Sequence, residues 1–585
     1  MNLKTVLCAF ACAACLLVTD EAEACTNVIV TPGAGKGGSS MVSYAADSHW
    51  LFGELYFRKA ADWTPGTPLN VSEWDTKRNL GEITQVAHTY KTVGNMNEHQ
   101  LIIGETTFGG RHDLVDESGV LDYGSLIYIT LQRAASAREA IEVMTTLVAE
   151  HGYCSEGETF SIADKNEAWI MEMVGKGENG HGALWVARRI PDGYICAHAN
   201  QARITTFPLD DPENCLYAPD VIEFARQKGW YDGSDEEFSF SDTYCPLDFS
   251  GMRACEARVW SAFNIAGKGK FVYKNETGEM VSEDAYKYLD YAMGYNPANR
   301  MPLWILPAGE MTVKDVADIM RDHFEGTPMD MTKDIGAGGN ALPYRWRPMG
   351  FEWEGKRYIN ERAIATQQTG FWFVGQARTN LPDIYGGIIW FGTDDAATSY
   401  LTPVYTNTDE CPDCFREGNG DLLSYSPTAS FWINNRVANA CYKMYNYMGA
   451  FVREYIDRFE NAQLSAVEEI DAQAAKLYAK AAKKMARKAR KNKDYNPLAD
   501  TSNRKIRKLL TRYSVTTAQD QFNVWKQLEE TLLVKFIDGN VKAQNEDGSF
   551  KRTEEGMAEG LEQPGYTDFW KEAVAAFHGD VVEVK

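Results

Sequence analysis

The 585-residue sequence has no run of about twenty apolar residues, which leaves no candidate for a membrane-spanning helix. It also lacks a G-x-S-x-G elbow, an H-E-x-x-H pair and a glycine loop closed by Lys-Ser/Thr, which removes three familiar hydrolase and nucleotide-binding chemistries. Its nine histidines are scattered, none at a metal-ligand spacing. Asp47, Ser48 and His49 spell three triad residues, but consecutive residues do not converge on one reacting point. Cys411 and Cys414 form a lone C-x-x-C; with no second pair, a loop disulfide is expected rather than zinc or redox chemistry. No metal and no cofactor is expected. Net positive charge is missing too: a formal charge of −23 argues against nucleic acid and anionic membrane as partners. There is no internal repeat of solenoid period.

What is present begins with residues 1–24, which read as a secretory signal peptide. Lys4 supplies the positive start, Val6 to Val18 is an apolar run, and Ala22, Glu23 and Ala24 carry the small-residue pattern of a cleavage site. Removing them moves the formal charge from −23 to −21 and makes the mature chain exported, periplasmic or secreted. Of twelve cysteines, nine remain after the signal; export predicts that some pair, and the odd count leaves at least one over.

The residue directly after the cleavage site is Cys25. Cleavage after Ala24 puts a thiol and a free α-amine on one residue. Their ordinary pKa values, about 8.5 and about 7.7–8.0, are close enough for the amine to act as base for its own side chain. Two other readings stand beside this one. Cys25 is also suited to be a half-cystine near a mature N-terminus, or an acylated lipoprotein cysteine, although Glu23 fits poorly in a lipidation motif.

Along the chain, "TNVIV" and "SMVSYAAD" around a glycine-rich turn predict a hairpin with Cys25 at its start. Ser136 and Glu139 form a capping-box pattern ahead of Ile141, Met144, Leu147 and Val148, which predicts an amphipathic helix over 137–150. Residues 160–199 read as a four-strand antiparallel meander, 205–250 as loop-rich, and about 369–395 as aromatic-rich strands. From residue 430 onward the chain is helix-permissive. Its basic run, 466–493, reads as the solvated face of a long helix, with anion binding as the less favoured alternative.

The ordered blocks "CTNVIVTPGAGKGGSSMVSYAADSHW", "NEHQLIIGETTFGG", "YGSLIYITLQRAASAREAIEVM", "ADKNEAWIMEMVG", "WVARRIPDGYICAHANQARI" and "ACEARVWSAFN" together resemble the bacterial dipeptidase family of N-terminal-nucleophile (Ntn) cysteine hydrolases, related to choloylglycine hydrolases and penicillin V acylases. The likeness runs from Cys25 to about residue 204 and fades beyond about 450. It implies an α+β fold, a four-layer αββα sandwich over 25–450 with a helical C-terminal extension over 451–585. It also implies hydrolysis of dipeptides through a thioester on Cys25.

The resemblance further implies site roles. Asp47 falls where such enzymes hold the nucleophile's amine, Asn200 where they place an oxyanion donor, and Arg258 where an arginine lies close to the nucleophile. Tyr44, Glu105 and Thr106 are the substrate-side candidates, with Glu105 suited to attract a substrate ammonium. Tyr44 stands where choloylglycine hydrolases carry an arginine, which weighs against bile-salt substrates. The rival readings are an N-acyl amide hydrolase on the same scaffold and a non-enzymatic exported binding protein. The expected partners are small peptide substrates, and the helical extension offers a contact surface for a homo-oligomer.

Overall fold

The structure, a computed structural model, describes residues 25–178, 180–275, 277–492 and 495–584. The signal segment 1–24 lies outside the described residues, as does Lys493 at the end of the basic run.

Strands β1 (Thr26–Val30) and β2 (Ser39–Asp47) form the expected hairpin, with Asn27 opposite Tyr44. β3 (Ile102–Gly109), β4 (Gly157–Ala163), β5 (Ala168–Gly175) and β6 (Ala183–Arg189) follow, then β7 (Ile195–His198), β8 (Thr369–Arg378), β9 (Gly387–Thr393) and β10 (Thr402–Tyr405). One seven-stranded sheet runs from an edge at Trp304–Ile305 through β7, β1, β2, β8 and β9 to β10. The second, eight-stranded, places β6, β5, β4 and β3 side by side between short edge strands.

The two sheets face each other, and β1 and β2 are buried on both faces. Alternation sorts their side chains: Ile29, Val42 and Tyr44 pack towards the second sheet with Ile102 and Ile170. Val28, Val30, Met41 and Ala45 pack away from it. The outer layers are helical. Helices α1 (Tyr123–Leu131) and α2 (Ala137–His151) cover the second sheet through Leu126, Ile141, Met144 and Leu147. Helices α3 (Ala257–Ala266) and α4 (Val313–Ile319) cover the first through Val259, Trp260, Phe263 and Val316. This is the αββα order. At the start of α2, Ser136 accepts from the Glu139 N–H, but the Glu139 carboxylate reaches back to the Ala135 N–H instead of closing the reciprocal box.

Two expectations are corrected. The meander has three strands, not four: β4, β5 and β6 pair in sequence, whereas β7 leaves for the other sheet and pairs with β1, Asn27 opposite His198. The turn at Pro191–Gly193 makes the crossing, with Asp192 accepting from the Gly33 N–H at 2.6 Å and Gly193 at φ +89°. A strand buried on both faces carries no pattern that names its partner. The second correction concerns the cysteines. Cys411 and Cys414 are both thiols: one Sγ lies 3.8 Å from Leu55 O, the other 3.9 Å from Ala518 O, so the side chains diverge. Cys154, Cys196, Cys215, Cys245, Cys255 and Cys441 are thiols as well.

The C-terminal part is helical: α5 (Ser430–Cys441), α6 (Tyr445–Ala489) and α7 (Arg504–Lys535). Residues 450 and 451 both lie inside α6. Helix α7 lies on β10, where Ser514 Oγ accepts from the Tyr405 N–H at 3.1 Å and Thr402 Oγ1 donates to Gln521 Oε1 at 2.6 Å. Ala518, Phe522, Trp525 and Leu528 join the core that contains Cys25. Lys480, Lys483, Lys484 and Arg487 are exposed, while Ala474, Ala481 and Met485 are buried on the other side of α6. Among the described residues no helix is long and apolar enough to cross a membrane.

Because Trp525 is fully buried in that shared core, Trp525→Ala is expected to cost about 3–5 kcal/mol. The cost is read as a lowered urea midpoint by circular dichroism. A midpoint within error of the parent's would show α7 to be independent of the sandwich.

Candidate active site

Cys25 directly precedes β1 and is buried at one end of the gap between the sheets. Its Sγ lies 3.7 Å from Glu105 Oε1 and 3.9 Å from the Tyr44 hydroxyl. Tyr44 comes from β2 and Glu105 from β3, so the packing of one sheet on the other assembles this corner. The Tyr44 hydroxyl donates to Glu105 Oε1, and the ring is held edge-on by Phe371 and Phe373 at 5.7 and 5.8 Å. Burial pushes the Glu105 carboxyl up to about 7, against hydrogen bonds from Glu158, Tyr44 and the Cys25 thiol; the nearby Asp75 charge adds to the rise. Burial, with the neighbouring Cys25 and Glu105, likewise holds the Tyr44 hydroxyl well above its ordinary value, so it stays a neutral donor.

Arg258 organises the other side. A wide π-type turn at Gly251–Glu256 leads into α3, and the Arg258 side chain runs back to Cys25, fully buried. Its Nη1 donates to Cys25 O at 2.5 Å and Thr26 Oγ1 at 2.8 Å; Nη2 donates to Asn200 Oδ1 at 2.8 Å, and Nε to Ala254 O at 2.7 Å. Burial and the nearby Arg362 lower its pKa to about 10, opposed by Cys255 and Asp47, so it remains a cation at neutral pH. Asn200 follows β7 with φ +40°, a left-handed conformation that asparagine adopts more readily than most residues. With its oxygen taken by Arg258, its Nδ2 donates to Thr107 O at 2.5 Å. The amide orientation is thereby set.

Asp47, at the end of β2, is fully buried. Its Oδ2 pairs with Arg362 Nη2 at 2.5 Å, Oδ1 accepts from Thr369 Oγ1 at 2.6 Å, and its main-chain oxygen accepts from Gln368 Nε2 at 3.1 Å. Burial pushes its carboxyl up, while Arg362, Thr369 and Arg258 pull it down. Position 44 carries no arginine, and the guanidinium beside Asp47 is supplied by Arg362 from the segment entering β8. Sequence reasoning missed Arg362, Gln368 and Thr369: "NERAIATQQT" has no motif, and 315 residues separate Arg362 from Asp47.

The candidates thus fall into two groups: Arg258, which bonds Cys25 O and Asn200 and interacts electrostatically with Asp47, and Tyr44 with Glu105 at the Cys25 sulfur. The Thr106 hydroxyl belongs to neither; it lies 2.7 Å from His198 Nδ1, a buried histidine that no sequence signal singled out. Chemically, the site holds a buried thiol, a polar amide aimed by a cation, and a carboxyl beside the sulfur. Among the described residues no group of three His, Cys, Asp or Glu side chains could hold a metal ion.

Comparison with known proteins places the chain among peptidases. Residues 24–458 match peptidase family C69. The chain is 23% identical over 456 residues to a probable dipeptidase of Latilactobacillus sakei, covering 75% of this chain and 84% of that protein. It is 22% identical over 410 residues to a probable dipeptidase of Salmonella dublin, covering 67% and 82% respectively. It is 23% identical over 379 residues to dipeptidase A of Lactobacillus helveticus, covering 64% and 68%.

The raised Glu105 carboxyl makes stability depend on pH with a definite sign. Below about 4.5 the group is protonated in folded and unfolded chains alike. Between there and about 7, only the unfolded chain releases the proton, so this contribution to stability falls as pH rises. Glu105→Gln removes that slope. The melting temperature of the variant minus that of the parent is therefore expected to grow from pH 5 to pH 8. A constant difference would show that Glu105 does not hold a proton in the folded chain.

Proposed function

The chain belongs to peptidase family C69 and is a peptide-bond hydrolase; we propose that it is an exported dipeptidase whose nucleophile is Cys25, exposed by cleavage after Ala24. In the mature enzyme the α-amine of Cys25 takes the thiol proton, and Sγ attacks the carbonyl of the substrate's first residue. The amine then gives that proton to the departing amino group, and the acyl half is held as a thioester on Sγ. Water, activated by the same amine, attacks the thioester and restores the thiol.

The oxyanion of each tetrahedral intermediate is assigned to the amide of Asn200, whose direction Arg258 sets; loss of one such donor costs about 10²–10³ in rate. Arg258 itself is a positioning residue, because its guanidinium is spent on Cys25 O, Thr26 and Asn200. Asp47, held by Arg362 and Thr369, is assigned the role of favouring the protonated form of the Cys25 amine.

One observation carries the choice of substrate: a buried carboxyl with Oε1 3.7 Å from the nucleophilic sulfur. When a dipeptide's first carbonyl is bonded to Sγ, its α-ammonium is two bonds further on, within reach of Glu105. The incoming cation ionises the carboxyl, and the two form a charge-assisted hydrogen bond in a desolvated site. An N-acyl amide offers no cation there and would leave the carboxyl buried without that partner. This favours the dipeptidase over the acyl-amide reading.

Intact mass and N-terminal sequencing of the exported protein are expected to show a chain that begins at an alkylatable Cys25. Cys25→Ala is expected to abolish dipeptide hydrolysis, and N-acetylation of the dipeptide to lower kcat/KM, mostly through KM. Glu105→Gln should erase most of the preference for the free amine. Hydrolysis confined to N-acyl amides, or a mature chain that retains residues before Cys25, would overturn the assignment.

A further inference from the structure

Directly behind the thiol, four fully buried polar side chains from four different strands bond one another: Asn27 on β1, Ser161 on β4, His198 on β7 and Thr106 on β3. None takes part in the steps described above. His198 Nδ1 lies 2.7 Å from Thr106 Oγ1, and Nε2 lies 2.6 Å from Ser161 Oγ. Asn27 reaches across the gap between the sheets. Its amide oxygen meets the Glu105 N–H at 3.0 Å and Ser161 Oγ at 3.0 Å, and its amide nitrogen meets Glu105 O at 2.9 Å and Thr26 O at 3.0 Å.

These contacts admit one order of protons. The amide oxygen of Asn27 only accepts, so Ser161 donates to it. Ser161 Oγ then accepts from the Nε2–H of His198, and the neutral ring accepts at Nδ1 from the Thr106 hydroxyl. Burial, helped by Arg203, keeps the ring neutral by pushing its pKa down to about 3. Every member of the chain is therefore oriented, and its far end grips both main-chain polar groups of Glu105.

β1 and β3 lie in different sheets and share no backbone ladder. Apolar contact between facing sheets is non-directional and sets their relative sliding only loosely. The Asn27 amide supplies, across that gap, the paired N–H and C=O contacts that a neighbouring strand would. Gly104 permits the approach: a Cβ there would come within 2.7 Å of the Asn27 amide oxygen in this orientation and 3.3 Å of Tyr44 Cβ.

We infer that the Asn27–Ser161–His198–Thr106 chain is a positioning device that locks β3 against β1, so that the Glu105 carboxyl stands at the thiol and the enzyme selects substrates with a free α-ammonium. The selectivity half rests on the role proposed above for Glu105; the mechanical half does not.

The test uses the mature enzyme with Asn27→Ala, Ser161→Ala and Glu105→Gln. Two quantities are measured: the ratio of kcat/KM for a dipeptide to that for its N-acetyl form, and hydrogen exchange of the peptide spanning residues 103–107. Asn27→Ala and Ser161→Ala are expected to speed exchange there and to lower the ratio about tenfold, the loss carried by KM for the free dipeptide. The rate of Cys25 alkylation should stay at the parental value. Glu105→Gln should lower the ratio without speeding exchange.

Unchanged exchange in both chain variants overturns the lock, whatever Glu105→Gln does. Faster exchange with an unchanged ratio overturns the link to selectivity. A ratio that Glu105→Gln leaves intact overturns the ammonium role of Glu105 and the selectivity half with it. If Asn27→Ala fails to fold, Ser161→Ala carries the test alone, since it removes one hydroxyl and leaves the Asn27 amide in place.

Discussion

The site is organised first by one buried cation, Arg258. Arg258 gathers Cys25 at the head of β1, Thr26 beside it and Asn200 beyond β7, and it does so from the start of α3 in the layer outside the sheet. A guanidinium taken out of water costs several kcal/mol unless its donors are matched, and here four acceptors answer it from fixed positions. The matching works only if β7 lies beside β1. That is why the departure of β7 from the meander matters: it brings Asn200 to the guanidinium that holds Cys25, instead of to the far side of the other sheet.

A second guanidinium, Arg362, sits near the first, and two like charges would repel strongly in a low-dielectric interior. Asp47 lies among them, paired directly with Arg362 and electrostatically with Arg258. The cationic side of the site therefore carries its own compensation. Across the thiol, the acidic side is tuned differently: Glu105 is kept from ionising by burial. Cys25 stands between a pre-paired region and a neutral, buried carboxyl, and the substrate preference proposed above rests on that asymmetry.

The helices after residue 430 are part of this economy of burial. α7 covers β10, and its apolar side chains continue the core that reaches Cys25. The family match covers residues 24–458, and the packed core continues beyond it into α7.

Much of the fold was legible in local sequence, and the candidate residues came from the family resemblance. The small-residue pattern ahead of Cys25, the hairpin strands, the capped helix 137–150 and the aromatic strands 369–395 are all local signals, set by periodicity, turn chemistry and capping within a dozen residues. Cys25, Asp47, Asn200, Arg258 and Glu105 stood out because they sit inside ordered blocks of recognisable sequence. What sequence by itself determined is therefore which segments fold into which elements and which residue carries the thiol. Tertiary structure alone decided that β7 joins β1, that Cys411 and Cys414 point apart, that Arg362 pairs with Asp47 and that Thr106 faces His198. Each of these is a contact between segments far apart in the chain, or a side-chain direction that two competing neighbours settle. Strand patterns buried on both faces, and lone arginines in loops, carry no record of the partner that packing will bring to them.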